Sequence, residues 1–261
     1  MQADIFLKKK LYSFSFILLL ASVTLVSIII TEFNTAKGLS SLPKALQWTF
    51  SNFYPNSKSM GKLPDILYKL QQTLLISLAA TTVAAVPALL FAISGSSTTQ
   101  FNWTLSKISR GIATVFRNID ITAWAMILLL SFGQSALTGY FALFFGSFGF
   151  LTRAFMETID EVSSDSVEAL RATGAGYFSI IFQAVIPSAL PQMISWILFM
   201  IETNIRNATL VGILTGTGIG FAFNLYYKSL DYNSASLVVI SIIAAIFTIE
   251  WVSNYIRRVI L

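Results

Sequence analysis

The residues of this chain best suited to chemistry are the ionisable side chains that crowd into one short segment of an otherwise charge-poor sequence. Carboxylates at this density can act as general acids and bases, bind hard cations, or form a charged docking surface for another protein. The absence of cysteine and histidine from the sequence excludes thiolate nucleophiles, disulfides, zinc-type clusters and every catalytic pair built on histidine. The ionisable residues of the segment are Glu157, Asp160, Glu161, Asp165, Glu168 and Arg171.

A catalytic use of these acids has little support. Glu157, Asp160 and Glu161 lie in a polar run without a convergent base, so a membrane-integral enzyme or sensor is the weaker alternative. We therefore expect a chain that is not an enzyme and that binds no metal or cofactor itself.

A second group of polar side chains interrupts long apolar runs. An arginine at the centre of a membrane helix costs about 2.5–3.5 kcal/mol on insertion, so Arg117 needs a reason to be there. Asp120 follows Arg117 by three residues and Arg206 follows Glu202 by four, spacings that place each pair on one helical face. We predict that this group lines the route of an anionic substrate; ion pairs that fix helix packing, or snorkelling at span ends, are the alternatives. The predicted route consists of Arg117, Asn118, Glu202, Asn204, Arg206, Asn207, Gly216 and Gly218.

The elements that carry these residues are predicted to be membrane helices. Hydrophobic residues make up 55% of the sequence and charged residues only 11%, and 261 residues suffice for about six spans of roughly 20 residues each. We predict an all-α membrane protein with residues 1–70 forming a first membrane helix and an external loop, and residues 71–261 forming the core. The predicted spans are Leu11–Ile30, Gln72–Ser94, Ile112–Phe132, Ala136–Met156, Ser188–Thr203 and Ala235–Ile256.

Charges at the two ends of the chain indicate its orientation. Lys8, Lys9 and Lys10 precede the first span, and Arg257 and Arg258 follow the last, so both termini are predicted to be cytoplasmic. The polar stretch Thr31–Lys69 is predicted to be an external loop with short interfacial helices. The net charge of +5 is scattered between apolar runs, which argues against nucleic-acid binding.

The acidic segment itself is predicted to form a helical elbow. Asp165 and Glu168 have the spacing of a helix N-cap and its reciprocal partner, and Gly174 suits a left-handed C-terminal residue, which predicts a helix of about two turns. A second short helix is expected to bury one apolar side and to end at Pro187. From this pattern alone, a capped loop that merely connects two spans is an equal alternative. The apolar residues of the second arm are Phe178, Ile181, Phe182 and Val185.

Glycines recur between Gly212 and Gly220, but no Lys-Ser or Lys-Thr pair follows them and no strand precedes them, which argues against a nucleotide loop. Irregular backbone at membrane depth is tolerated where protein buries it or where it lines a cavity. We predict a re-entrant loop at the substrate passage, with a simple external turn as the alternative.

The stretch Glu168-Ala169-Leu170-Arg171-Ala172-Thr173-Gly174, with Pro187 beyond it, resembles the EAA motif of ABC importer permeases. It departs from the motif at Leu170, where a second alanine is usual, and at Ala184 and Ile186. The resemblance implies that the loop at about 160–187 contains a coupling helix that docks on an ATP-hydrolysing subunit. The residues that carry this role by resemblance are Asp165, Glu168, Ala169, Arg171, Ala172, Thr173 and Gly174.

Three further stretches resemble phosphonate-type permeases: Glu202–Gly212 with Gly216–Gly220, Val167–Gly174, and Phe116–Ile119 followed by Trp124, although Asp120 stands where a proline is usual. The resemblance implies a type I ABC importer permease bundle in a bacterial cytoplasmic membrane, carrying a phosphonate or related phosphorus oxyanion. It also implies three partners: a dimer of ATPase subunits that binds ATP-Mg, a second permease copy, and an extracytoplasmic substrate-binding protein. A methionine-type permease is the alternative within the same class.

Overall fold

The computed structural model describes residues 2–260, with side chains from Lys8 onward, and every element in this range is helical. Two compact units, Met1–Phe53 and Tyr54–Leu261, make up the chain. The first unit contains α1 (Gln2–Ile30) and α2 (Thr35–Asn52), which begins where the Asn34 side chain accepts a hydrogen bond from the Lys37 amide. α1 confirms the first predicted helix, whereas α2 is longer than the short interfacial helices that were expected.

The second unit contains the remaining helices, and its longest members are packed into one bundle. They are α3 (Ser57–Met60), α4 (Leu63–Gly95), α5 (Trp103–Asn118), α6 (Ile121–Phe132), α7 (Ala136–Val162), α8 (Ser164–Ala172), α9 (Tyr177–Ile180), a π-helical turn (Ile181–Val185), α10 (Ile186–Thr215), α11 (Gly218–Lys228) and α12 (Tyr232–Ile260). α4 begins nine residues before Gln72, with Pro64 in its first turn, where proline fits because that amide has no helical partner. The predicted loop Thr31–Lys69 therefore extends too far, because its last residues belong to α4.

Within the described residues 2–260, four helical segments are long and apolar enough to cross a membrane, and the bent pair α5–α6 would make a fifth. The four are Lys8–Ile30, Leu63–Gly95, Tyr177–Thr215 and Tyr232–Ile260. The remaining predicted span corresponds to α7, which is 27 residues long but less apolar. α7 packs against α4, α5, α6 and α10, and its buried side contains many Gly, Ser and Thr residues. A helix enclosed by other helices needs small residues for close packing rather than an apolar surface for lipid.

The third predicted span is not one continuous helix. α5 and α6 meet at 90° across Ile119 and Asp120, both in extended conformation. Asp120 caps α6 by accepting a hydrogen bond from the Thr122 amide, so a short polar side chain competes successfully with helix propagation. The predicted pairing of Arg117 with Asp120 on one helical face is therefore wrong, because the two residues lie on opposite sides of the break.

α10 also differs from its prediction, because it continues to Thr215 rather than ending at Thr203. Gly216, with φ +69°, reverses the chain, and α11 begins at Gly218 with the Ile219 amide donating to Thr73 Oγ1 of α4 at 2.9 Å. The predicted loop is thus a tight turn between two helices that pack on each other and on α4.

The turn before α12 is anchored to the start of α4. Lys62 Nζ lies 2.6 Å from Asp231 Oδ2 and 4.6 Å from the centre of the Tyr226 ring. Burial acts to raise the pKa of Asp231, but hydrogen bonds from Lys62 and Ser234 outweigh it and lower that pKa to about 2. Asp231 therefore remains charged across the physiological range and ties this end of the bundle together.

Candidate functional site

The first arm of the predicted elbow is α8, whose nine residues confirm the expected two turns. Its N-cap is Ser163 rather than Asp165, and no side chain caps it. The capping prediction is wrong because α7 ends only one residue before α8, so no extended residue is available for the motif. Asp165 instead lies in the first turn, where its negative charge is favourable beside the positive end of the helix dipole.

α8 ends at Ala172, and Gly174, two residues further on, adopts the predicted left-handed conformation with φ +79°. The Ala175 amide donates to the Leu170 carbonyl at 3.2 Å, so the chain closes the helix and turns away from it. Val167 is 2% exposed, and Leu170 packs against the same core. The larger side chain of Leu170, compared with the usual alanine, therefore anchors α8 to the bundle.

The residues named for the docking role form the outer surface of α8 and of the turn that follows it. All of them are exposed: Asp165, Glu168, Ala169, Arg171, Ala172, Thr173 and Gly174. The inner side is held by apolar contacts while the outer side carries both signs of charge, which suits a surface that another protein covers.

The second arm is not a separate short helix. Tyr177–Thr215 is continuous, and Pro187 lies in the first turn of α10 rather than ending the arm. A π-helical turn precedes the proline, with the Ile186 amide donating to the Ile181 carbonyl five residues back. The wider π-helical turn leaves room for the Pro187 ring, which would clash with the backbone in the interior of an ordinary α-helix. Ile181 and Val185 are buried as predicted, whereas Phe178 and Phe182 are 74% and 64% exposed.

Both arms contact the turn between α4 and α5, Ser96–Thr99, which we call the α4–α5 turn. Arg171 of α8 donates through Nη2 to the Thr98 carbonyl at 2.7 Å, and the Tyr177 hydroxyl donates to the Thr99 carbonyl at 3.0 Å. A displacement of the elbow therefore acts on the ends of two bundle helices at once.

Asp160, near the end of α7, holds the same turn from the other side. Its Oδ1 accepts hydrogen bonds from Ser96 Oγ at 2.6 Å and from the Thr98 amide at 3.0 Å. Arg110 of α5 lies 3.8 Å from its other oxygen and donates through Nε to the Gly95 carbonyl at 2.6 Å. Burial acts to raise the pKa of Asp160, but these hydrogen bonds outweigh it and hold the pKa below its ordinary value. Asp160 thereby joins α4, α5 and α7 at the level of the elbow.

Two of the acidic residues that a catalytic reading would use, Glu157 and Asp160, have structural partners instead. Glu157 pairs with Arg153 at 2.7 Å, one turn along α7, and Asp160 binds the α4–α5 turn. No group of histidine, cysteine or acidic side chains suited to a metal occurs among residues 8–260.

The structure separates the predicted route residues into different environments. Arg117 and Asn118, at the end of α5, line one cleft with Arg153; Asn207 and Asp120 line another, of about 270 Å³. Gly216 and Gly218 form the turn between α10 and α11, where Gly216 lies against the Gln134 side chain.

Asn204 belongs to the core instead of facing a passage. It is fully buried, and its Nδ2 donates to Thr81 Oγ1 at 2.8 Å and to Ser147 Oγ at 2.6 Å, which joins α10 to α4 and α7. Its Oδ1 has no hydrogen-bond partner within the described part of the chain.

The predicted pairing of Glu202 with Arg206 is also wrong. Glu202 Oε1 accepts from Arg257 Nη2 of α12 at 3.0 Å, and Arg206 remains exposed. A partner 55 residues away cannot be inferred from spacing along one helix.

Arg153 is the site residue that sequence reasoning missed. It is the only charged residue within the predicted span Ala136–Met156, and that isolation was the available signal. An isolated intramembrane charge is itself grounds for a functional hypothesis.

The chain is similar to a known protein family, to curated relatives and to solved structures. Residues 84–260 match the family described as binding-protein-dependent transport system inner membrane component. The chain is 30% identical over 190 residues to the phosphate-import permease protein PhnE of Mycolicibacterium smegmatis, a match covering 73% of this chain but only 36% of that relative. It is 25% identical over 258 residues to the putative phosphite transport system permease protein HtxC of Stutzerimonas stutzeri, covering 99% of this chain and 90% of the relative. An inward-facing structure of the MetNI methionine ABC transporter shares the fold with a TM-score of 0.68 at 18% identity, over 79% of this chain and 99% of that one.

Proposed function

Because this chain belongs to the family of binding-protein-dependent transport system inner membrane components, the permease subunits of ABC importers, we propose that the solute it carries is a phosphonate or a related phosphorus oxyanion. The observation that carries this proposal is the similarity, over 99% of this chain, to the putative phosphite transport system permease protein HtxC. The likeness to the methionine transporter, at 18% identity, supports the fold alone. The proposed assembly contains a second permease copy, an ATPase dimer that binds ATP-Mg, and an extracytoplasmic substrate-binding protein. In a bacterial cytoplasmic membrane, both termini of this chain would face the cytoplasm.

The outer surface of α8 is the proposed docking site for the ATPase. α8 is fixed to the bundle by Val167 and Leu170, so a push on its exposed side moves the elbow as one body. Arg171 and Tyr177 pass that movement to the α4–α5 turn, and Asp160 passes it on to α5 and α7. This set of contacts links ATPase closure to the helices that enclose the substrate route.

Replacing Asp160 with alanine tests this transmission. The change removes the acceptor for Ser96 and Thr98, so the α4–α5 turn is released from α7 while the docking surface of α8 is left intact. Losing charge-assisted hydrogen bonds of about 1.5–3 kcal/mol each should reduce ATP-driven uptake by tenfold or more, with ATP hydrolysis retained. The measurement is uptake per ATP hydrolysed in proteoliposomes that contain the complete importer.

Glu161→Ala is the matched control, because Glu161 is the next residue, carries the same charge, and is exposed. It should leave the ratio of uptake to hydrolysis unchanged. Equal ratios for the two variants would remove Asp160 from the transmission path.

The identity of the solute is tested on the partner binding protein. A ligand in 100-fold excess over its Kd stabilises the protein it binds by about 2.7 kcal/mol, which a thermal-shift panel detects readily. We expect phosphite, phosphate or methylphosphonate to raise the melting temperature and methionine to leave it unchanged. Stabilisation by methionine alone would assign the chain to the methionine-type alternative.

A further inference from the structure

A polar cleft of about 310 Å³ opens between the end of α5 and the middle of α7. Holding one water requires only about 10–15 Å³ on the same measure, so a small oxyanion fits together with waters. Two arginines contribute to its walls, and the lining residues are Ala113, Thr114, Arg117, Asn118 and Arg153. Arg117 forms no ion pair among residues 8–260, so its positive charge is not neutralised by a neighbouring acid.

The cleft lies part of the way along α7 from the elbow, and Thr114, Arg117 and Asn118 in its wall are exposed. The backbone of Phe116 and Arg117 packs directly on Gly149 of α7, where an added Cβ would come within 2.4 Å of the Arg117 amide nitrogen. Gly149 precedes Asp160 by eleven residues, about 16 Å at 1.5 Å per residue. Since the proposed function puts the elbow and the adjoining Asp160 at the cytoplasmic boundary of the membrane, Arg117 would lie near the middle of a hydrocarbon layer about 30 Å thick. An unpaired arginine that faces lipid at that depth is costly, which favours a cleft that opens onto an aqueous passage bounded by protein.

We infer that this cleft is a binding site for a tetrahedral oxyanion on its way through the membrane, an inference that rests on the proposed function. Each guanidinium presents N–H donors in a planar fork that matches two oxygens of a phosphoryl group. Only Nε of Arg153 is engaged by a described side chain, so its terminal nitrogens remain available to a ligand. Asn118 also lines the cleft, and its Nδ2 donates one hydrogen bond to the Thr114 carbonyl at 2.8 Å, which leaves its second N–H for a ligand.

Glu157 competes with a bound anion for the guanidinium of Arg153. It accepts from Arg153 Nε at 2.7 Å and is mostly exposed, one turn nearer the Asp160 end of α7. Its charge reduces the positive potential of the cleft and limits how tightly an anion is held. Weak retention is what a passage requires, because a solute that binds too tightly is not released.

The absence of cysteine from the sequence permits a direct test. Thr114→Cys introduces a single thiol into the cleft, and Val115→Cys places one on the next residue, which is exposed but does not line the cleft. Each thiol is labelled in the complete importer with an anionic sulfonatoethyl or a cationic trimethylammonium-ethyl methanethiosulfonate. Since a cleft of one charge sign concentrates counterions, the anionic reagent should react on the order of tenfold faster than the cationic one at Thr114→Cys and show no such preference at Val115→Cys.

Three additions to this labelling experiment identify the site. Phosphate or methylphosphonate should slow the anionic labelling at Thr114→Cys, whereas methionine should not. Adding Arg117→Gln or Arg153→Gln should abolish the preference for the anionic reagent, and adding Glu157→Gln should increase it. Equal rates for the two reagents, no labelling at all, or no protection by phosphate and methylphosphonate would each overturn the inference.

Uptake separates a failure of this site from a failure of the proposed function. Arg117→Gln and Arg153→Gln should lower phosphite uptake about tenfold, and Arg258→Gln, which removes an exposed arginine at the end of α12, should not. If the wild-type importer takes up phosphite and both cleft variants take it up at the wild-type rate, the site is rejected. The proposed function then still holds. A wild-type importer that takes up no phosphorus oxyanion would reject the proposed function, and the labelling results would still decide the site.

Discussion

Gly174→Ala is expected to lose most ATP-driven uptake although the added methyl group meets no other atom. Gly174 has φ +79°, and no atom of the described residues lies within 4 Å of the position of an added Cβ. The substitution is therefore free of clashes, but an alanine in the left-handed region costs about 1–2 kcal/mol. The chain relieves this strain by changing the direction in which it leaves α8, which displaces the docking surface relative to the second arm. One to two kcal/mol corresponds to about a 5- to 30-fold loss of the correctly oriented population.

Gly176→Ala is the matched control for this effect. Gly176 also has open space around its Cβ position, but its φ is −69°, which any residue adopts. Uptake and recovery of the ATPase on the purified permease should fall for Gly174→Ala and remain near wild type for Gly176→Ala. Gly174→Asp should abolish recovery of the ATPase, because it adds a third carboxylate to a surface that already carries Asp165 and Glu168. Retention of the ATPase by Gly174→Asp would contradict the docking role of α8.

Features that depend on local patterns could be predicted from the sequence. Apolar runs predict α1, α4 and α12. A chain segment that crosses lipid must pair its own backbone N–H and C=O groups, and a helix does this. The left-handed Gly174 follows from its position after a short polar helix, since glycine alone adopts that conformation without strain. The outer surface of α8 was assigned by its resemblance to the EAA motif and not from an apolar pattern, and its residues are exposed in the structure.

Features that depend on tertiary contacts could not be predicted. Pro187 was expected to end a helix, but the π-helical turn before it provides room that no sequence pattern announces. Glu202 was assigned a partner one turn away, whereas its partner Arg257 lies on another helix. The break at Asp120 arises from competition between a capping side chain and a helical backbone, a balance that apolar periodicity does not detect. The two predicted ion pairs, Arg117 with Asp120 and Glu202 with Arg206, were thus wrong, and Arg153 was missed.

Gly220→Ala is expected to have the largest effect on stability of any single methyl group added to the bundle core. An added Cβ would lie 1.9 Å from the Thr209 carbonyl oxygen and 3.0 Å from the Ile213 amide nitrogen. Both are backbone atoms of α10, so no side chain can rotate away and the two helices must separate. Separation would break the packing of Gly212 on the chain at Thr217 and weaken the hydrogen bond from Ile219 to Thr73. Overpacking of side chains alone costs about 1–3 kcal/mol, and a clash between backbones should exceed that.

Gly111→Ala provides the comparison, because Gly111 lies within α5 and, among the described residues outside its own helical backbone, no atom lies within 4 Å of its Cβ position. Alanine in a helix interior is favoured over glycine by about 0.5–1 kcal/mol, so this variant should melt at or above the wild-type temperature. The measurements are the melting temperature and the yield of monodisperse protein in detergent, where Gly220→Ala should melt far lower or fail to accumulate. Equal melting temperatures for Gly220→Ala and wild type would mean that α10 and α11 can part without loss. In that case the turn at Gly216 would be a mobile element of the bundle, and the close contact of α11 with α10 would serve one conformation of the transport cycle instead of holding the fold together.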